Sequence, residues 1–309
     1  MKQLIKVSGI SFSKNHQLRQ RLLESFPNSI FTDSKTNLNP KQLINFYKGA
    51  DAIIVGTENI NQNVCENSTH IKALSKYGVG TDNLDFNALL SHHIDVLLNP
   101  GTNRISVAEL SLSLILGLMH NVFQKGVLLK KGVWEKNGGV QLFQKKVGII
   151  GYGHVGQTLH QFLKPFQCDV YVNDIKNLKD LSLQNKFSIA TKQEIYQECD
   201  VISLHIPLDP KTKNLINQET LSKMKSNAIL INTARGQLVD MSALKYALKT
   251  NIIAGAGLDV FPQEPPQDRD FLALENLMVT PHIGGNTKEA QWNMGLAAIT
   301  QLEKYFNLQ

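Results

Sequence analysis

The sequence predicts an α/β chain built as two doubly wound parallel-sheet domains, and three observations carry that expectation. Short apolar runs alternate with amphipathic stretches almost from end to end, the pattern of parallel strands joined by crossover helices. A length of 309 residues supplies two substantial cores. Near the middle, the run Lys146-Val147-Gly148-Ile149-Ile150 breaks into Gly151-Tyr152-Gly153-His154-Val155-Gly156, three glycines spaced G-x-G-x-x-G.

Taken in order, residues 3–8 read as a strand and 17–26 as a helix stopped by Pro27. A strand over 29–32, a helix over 40–47 and strands over 51–56 and 71–76 follow. The last runs into Tyr77-Gly78-Val79-Gly80. A helix over 84–92 and a strand over 94–98 lead to Asn99-Pro100-Gly101, a strong turn signal. Beyond it, residues 104–122 form a helix that is apolar almost all round, so its place is buried. Ser106 and Glu109 are spaced like a capping box at its start. Residues 126–144 are irregular and contain Trp134 and Gly138-Gly139, which suits either an arm reaching another subunit or a surface loop. Six strands are expected after that, over 146–151, 169–174, 200–205, 227–232, 252–259 and 277–280. An amphipathic helix over 288–308 ends the series.

The glycine segment has the context that gives its spacing meaning: a strand before it and a helical pattern after it as far as Pro165. Gly151 permits the tight turn and Gly153 lets a pyrophosphate approach the backbone. Gly156 lets the helix pack closely, with its N-terminal amides facing the phosphates. Eighteen residues past Gly156, Asp174 closes the next strand, where a carboxylate accepts hydrogen bonds from a ribose 2′-hydroxyl and repels a 2′-phosphate. A dinucleotide of the NAD type is therefore expected, with Lys176 the one neighbour that softens the preference.

Composition narrows the class. The apolar share of 42% and charged share of 19% are those of an ordinary globular protein. The charge of +6 is spread over scattered lysines, so no nucleic-acid stripe is visible. Three cysteines, Cys65, Cys168 and Cys199, lie far apart outside any C-x-x-C, which suits a reducing cytoplasm. Lys6 and Ser8 interrupt any signal-peptide core, and the apolar run 110–119 is too short to span a bilayer. Neither a nucleic-acid nor a membrane partner is expected.

Ligands of doubly wound sheets sit at the carboxyl ends of the strands. There the chain offers Thr233-Ala234-Arg235-Gly236, then Asp259-Val260-Phe261 with Glu264, then Thr280-Pro281-His282. Arg holds a carboxylate in a two-pronged grip, His exchanges a hydroxyl proton, and Glu orients the His. Singly, each also reads as a structural ion pair, a solvated loop acid or a helix-start histidine. At consecutive strand ends they suit reduction of a carbonyl beside a carboxylate. The remaining histidines lack metal-ligand spacing, and no metal is expected.

The chain resembles the D-isomer-specific 2-hydroxyacid dehydrogenases over essentially its full length. The matching blocks are Gly78-Val79-Gly80-Thr81-Asp82-Asn83, Asn103 with Ser106-Val107-Ala108-Glu109, the glycine segment, and Leu204-His205-Ile206-Pro207-Leu208. Further on they are Asn232-Thr233-Ala234-Arg235-Gly236, Asp259-Val260-Phe261 with Glu264-Pro265, and Thr280-Pro281-His282-Ile283-Gly284-Gly285. The resemblance implies a Rossmann NAD-binding domain over 100–285, with a dimerisation arm at about 120–146. It implies a smaller flavodoxin-like substrate domain from 1–99 and 286–309, in a cytoplasmic homodimer. It implies NAD-linked interconversion of D-2-hydroxy and 2-oxo acids, with 3-phosphoglycerate, hydroxypyruvate or glyoxylate as candidate substrates. By the same resemblance Arg235 fixes the substrate, His282 is the acid/base, and Glu264 pairs with it. Val79 and Gly80 offer amides to the carboxylate. Val79, Gly151, Gly153, His154, Val155, Gly156, Asp174, Pro207, Thr233, Ala234, Arg235, Asp259, His282, Gly284 and Gly285 line the cofactor. The strand end Gly56-Thr57-Glu58-Asn59 lacks the arginine that relatives acting on a phosphorylated substrate commonly offer; Arg104 reads either as its substitute or as a cap-region surface residue. The alternative is a non-catalytic NAD-sensing protein of the corepressor type, which the joint presence of Arg235, Glu264 and His282 disfavours.

Overall fold

Parallel strands buried on both faces must be covered by helices, and the chain does this twice. The computed structural model describes residues 3–308. They form two compact units, one made of the chain up to Asn103 and from Gly285 onward, the other of Arg104–Gly284.

The first unit contains β1 (Ile5–Val7), α1 (Ile10–Lys14), α2 (His16–Ser25), β2 (Ile30–Phe31), α3 (Pro40–Tyr47) and β3 (Ala52–Val55). It continues with α4 (Gln62–Glu66), β4 (Ala73–Lys76), α5 (Phe86–Ser91), β5 (Asp95–Leu97) and, from the far end of the chain, the terminal helix Lys288–Tyr305. Its sheet is entirely parallel, in the order β2-β1-β3-β4-β5. Successive side chains of a strand point to opposite faces, and β3 shows the result. Ile54 packs with Leu18, Leu22 and the terminal-helix residues Ile299 and Leu302, whereas Ile53 and Val55 pack with Leu43, Tyr47 and Val64. Helix starts follow local chemistry. Asn39 and Gln42 form a capping box with Pro40 in the first turn of α3, and Asn15, Asn61 and Asp85 cap α2, α4 and α5.

The second unit opens with α6 (Arg104–Met119) and α7 (Val122–Lys130). After them come β6 (Lys146–Ile150), α8 (His154–Leu163), β7 (Asp169–Asn173), α9 (Lys179–Asn185), β8 (Ser188–Ile189), α10 (Lys192–Glu198) and β9 (Val201–Leu204). The unit closes with α11 (Gln218–Ser222), β10 (Ile229–Asn232), α12 (Met241–Lys249), β11 (Gly255–Leu258), α13 (Arg269–Leu272) and β12 (Leu277–Val279). The seven parallel strands run β12-β11-β10-β9-β6-β7-β8. Strand order therefore reverses between β6 and β9, and the crevice beyond their carboxyl ends is the ligand-binding position of such sheets. Helix α6 lies on this sheet. A β-carbon at Gly257 would stand 3.0 Å from Cβ of Leu114 and 3.3 Å from Cδ1 of Leu118, so the small residue sets how closely helix and strand approach.

Three expectations are corrected here. The long helix ends at Met119, because Asn121 takes a left-handed φ of 55°, and the chain resumes as α7 after a 64° bend. Part of the stretch read as irregular is thus helical. Ser106 is not a cap: it lies inside α6, and its hydroxyl donates to the Gly284 carbonyl at 2.5 Å. The edge strand β8 was not anticipated, because its two residues are both exposed and carry no buried pattern.

Candidate active site

The glycine segment folds as its spacing requires. Gly151 has φ of 100°, outside the range L side chains favour, and a β-carbon there would meet the His205 carbonyl oxygen at 2.4 Å. The turn thus sits against the end of β9, at the reversal point. A β-carbon at Gly156 would stand 2.1 Å from the Gly151 carbonyl oxygen, so α8 is drawn onto the turn. At Gly153 nothing lies within 4 Å of the corresponding position, and no side chain caps α8. An open approach to uncapped amides at the positive end of a helix fits a pyrophosphate. His154 is exposed and Val155 half-buried at this helix start. Asp174 is half-buried. Its Oδ2 accepts from the Tyr152 amide at 2.6 Å and its Oδ1 from the Lys176 amide at 2.9 Å, so the carboxylate is oriented by the turn it adjoins. Behind the turn, the Tyr152 hydroxyl bonds Nδ1 of buried His160 at 2.7 Å, and burial lowers that imidazole to about 4. This bond between a neutral ring and the phenol ties the glycine segment to α8. His205 is likewise lowered to about 4 by burial, with Nε2 2.8 Å from the Ser203 hydroxyl.

The loops after β10, β11 and β12 carry the polar side chains, and each is tied down. Asn232, fully buried, donates to the Arg235 carbonyl at 2.8 Å and accepts from the Ala234 amide at 3.0 Å, fixing the turn Thr233-Ala234-Arg235. The buried Thr233 hydroxyl is 2.9 Å from that of Ser111 on α6. The Arg235 guanidinium donates to the Ala234 carbonyl at 2.7 Å and is half-buried. A β-carbon at Gly236 would fall 2.0 Å from the Phe261 carbonyl carbon, so this turn and the loop after β11 are in direct backbone contact. In that loop Glu264 accepts the Phe261 amide on Oε1 at 3.1 Å. Its Oε2 lies 2.8 Å from Nδ1 of His282. An ionised carboxylate only accepts, so Nδ1 carries the proton of this bond. Both side chains are exposed.

His282 holds a left-handed φ of 55°, uncommon for a residue with a side chain. The turn is held by Asp259, only 1% exposed. Its Oδ1 takes the Thr280 hydroxyl at 2.6 Å and the Ile283 amide at 2.7 Å, and its Oδ2 takes the Gly284 amide at 2.8 Å. The bracing roles of Asp259 and Asn232 were not legible in the sequence. Only the combination of a polar residue and an otherwise apolar strand end pointed to them. Pro207 is exposed after β9 in the same unit. Val79 and Gly80, half-buried after β4, belong to the first unit, as does Gly285, packed on Asn103.

Removing this brace has a predictable cost. Asp259→Ala strands three donors, each worth about 1–3 kcal/mol when buried and unmet. It is expected to lower the unfolding midpoint in urea and to speed amide exchange at Ile283 and Gly284. Unchanged exchange at those two amides counts against Asp259 as the support of the His282 turn.

Comparison with known proteins agrees with this geometry. Residues 112–284 match the family model described as D-isomer specific 2-hydroxyacid dehydrogenase, NAD binding domain. The chain is 42% identical over 240 residues to a D-3-phosphoglycerate dehydrogenase of Haemophilus influenzae, an alignment covering 75% of this chain and 58% of that one. It therefore spans little more than half the length of that relative. It is 34% identical over 275 residues to a hydroxypyruvate reductase of Thermotoga maritima, covering 87% of this chain and 89% of that one. Among solved structures, an acyclic imino acid reductase in complex with NADPH and D-Arg superposes with a TM-score of 0.89 at 27% identity, covering 99% of this chain and 97% of that one. With its glycine turn, its strand-end Arg, Glu and His, and these matches, the chain belongs to the D-isomer-specific 2-hydroxyacid dehydrogenase family.

Proposed function

We propose that this protein is an NAD-dependent oxidoreductase interconverting a small D-2-hydroxy acid and its 2-oxo acid. The observation that carries this reading is the 2.8 Å bond between His282 Nδ1 and Glu264 Oε2, on the loops after β12 and β11 next to the β10 loop that holds Arg235, beyond the carboxyl edge of the sheet bearing the glycine turn. When bound, NAD supplies or accepts the hydride at the carbon bearing the oxygen. The chain's residues do the rest. Arg235 holds the substrate carboxylate and polarises the adjoining carbonyl. Glu264 fixes the ring so that Nε2 delivers a proton to the carbonyl oxygen during reduction and takes it back during oxidation. An NAD-sensing protein without turnover has no use for this pair, which the structure keeps in bonding geometry.

Two further readings belong with it. Asp174, oriented against the glycine turn, favours NADH over NADPH by accepting from a ribose diol. The segment 120–146 carries exposed Val122, Phe123, Leu129, Trp134 and Val140, an apolar set that a second copy of the chain covers in a homodimer.

The tests are direct. NADH oxidation is expected with one or more of glyoxylate, hydroxypyruvate, pyruvate and 3-phosphohydroxypyruvate. His282→Gln is expected to lose about 10²-fold or more in kcat in both directions, and Arg235→Lys to lower kcat/KM strongly because the planar fork is gone. NADH binding, followed by its fluorescence, should change little in either. Near-normal turnover in His282→Gln refutes the acid/base assignment. Asp174→Ala should narrow the gap in kcat/KM between NADH and NADPH, and equal values in the unaltered protein refute the role of Asp174. Light scattering should report a dimer, and the double substitution Phe123→Glu with Trp134→Glu a monomer. A monomeric unaltered protein ends the proposal for this segment.

A further inference from the structure

Within the second unit, a cleft of about 360 Å³ lies behind the glycine turn and is left unused by the proposed chemistry. It is bounded by the end of α8, the start of β7 and the end of α9. Apolar Leu163 and Val170 form part of its wall. Its two charged lining residues, Lys164 and Lys186, are both cations and both exposed. His160 lines the cleft as well and is only 4% exposed. One nitrogen of that ring is engaged: Nδ1 lies 2.7 Å from the Tyr152 hydroxyl, while Nε2 makes no hydrogen bond among the described residues. A polar atom so placed costs free energy until a partner reaches it, and the cleft that the ring lines has room for one.

His160 also joins the cleft to the cofactor turn. The Tyr152 ring packs on Phe187 with 4.6 Å between centroids, and Phe187, which directly follows Lys186, meets His160 edge-on at 5.7 Å. Through its backbone, Tyr152 donates its amide to Asp174 Oδ2 at 2.6 Å and accepts from the Gln157 side chain at 3.0 Å. A neutral imidazole has one donor and one acceptor nitrogen. An anion on Nε2 requires the proton there, so Nδ1 must then accept from the phenol. Filling the cleft therefore selects one hydrogen-bonding arrangement of Tyr152, the residue whose amide orients Asp174. A turn already ordered by one ligand costs less to order for the other.

We propose that this cleft binds a small organic carboxylate and that its occupant tightens the binding of NAD at the glycine turn. The charge is met by Lys164, Lys186 and His160 Nε2–H, and the apolar body by Leu163 and Val170. Two lysines repel a cation, and bare phosphate leaves the apolar wall uncovered. Coupling between two sites is reciprocal, so NAD tightens the carboxylate by the same factor. The proposal needs cofactor binding and not the proposed turnover.

Butyrate is the probe, followed by the ring-nitrogen resonances of His160 in protein isotope-labelled at histidine and identified by their loss in His160→Gln. A saturable shift is expected, with Nδ1 moving to the position of an unprotonated acceptor. It should persist in Arg235→Gln, whose substrate anchor is gone, and vanish in the double variant Lys164→Gln with Lys186→Gln, both at exposed positions. Saturating butyrate should lower the Kd of NADH, read by fluorescence, about fivefold in the unaltered protein and in Arg235→Gln. Tyr152→Phe keeps the ring against Phe187 without the hydroxyl, so it should bind butyrate with no change in the Kd of NADH. No saturable shift, or one that survives loss of both lysines, overturns the site. Butyrate that weakens NADH binding or leaves it unchanged overturns the coupling, as does coupling that persists in Tyr152→Phe. None of these measurements reads turnover, so a protein that reduces no 2-oxo acid leaves the proposal standing on them alone.

Discussion

A single buried carboxylate organises the chemistry of the second unit. Asp259 stands at the end of β11 and receives three donors from the chain segment that begins where β12 ends. Burying a charge is costly unless its lone pairs are met, and here they are met by the turn that carries His282. The same requirement makes the turn rigid: its amides point inward, so the imidazole is directed outward toward Glu264. Asn232 does the equivalent for Arg235 one strand away, and the backbone contact at Gly236 joins the two loops. Glu264 and His282 are exposed and Arg235 is half-buried, and their positions are set by polar groups that are buried.

Much of this was legible in the sequence, for physical reasons that also explain the gaps. Strands buried on both faces read as short apolar runs, and all eleven of those expected are present. The reversal point announced itself because a tight turn pressed against β9 leaves no choice but glycine. What escaped was whatever leaves no periodic trace. Strand β8 is exposed at both of its residues, so nothing in its composition separates it from a loop. The break at Asn121 depends on one residue's backbone angle, within a stretch whose apolarity is continuous. Ser106 and Glu109 have the spacing of a capping box, yet the Ser106 hydroxyl is spent on Gly284, a partner 178 positions away. Local spacing cannot reveal a contact at that range. Asp259 and Asn232 illustrate the same limit from the other side: the residues were noticed, and their bracing work needed coordinates.

Membership of a family fixes the reaction type more firmly than the substrate. In the proposed reaction Arg235, Glu264 and His282 act on atoms common to every 2-hydroxy acid, and they sit among loops whose geometry is held by buried polar residues. The remainder of a substrate is met by other surfaces, where a change of one charge suffices to alter what is accepted.

The order of the chain carries a consequence for biogenesis. The second unit is continuous, whereas the first is interrupted by all of it. Four residues of the terminal helix, Met294, Ala298, Ile299 and Leu302, fill one face of the first sheet, and Gly295 lets Leu18 lie against that helix. During synthesis, strands β1 to β5 emerge before the second unit, and the helix that covers them emerges after it. The second unit has its complete core by Gly284. While the second unit is being translated, one apolar face of the first unit's sheet lacks the helix that covers it in the folded chain.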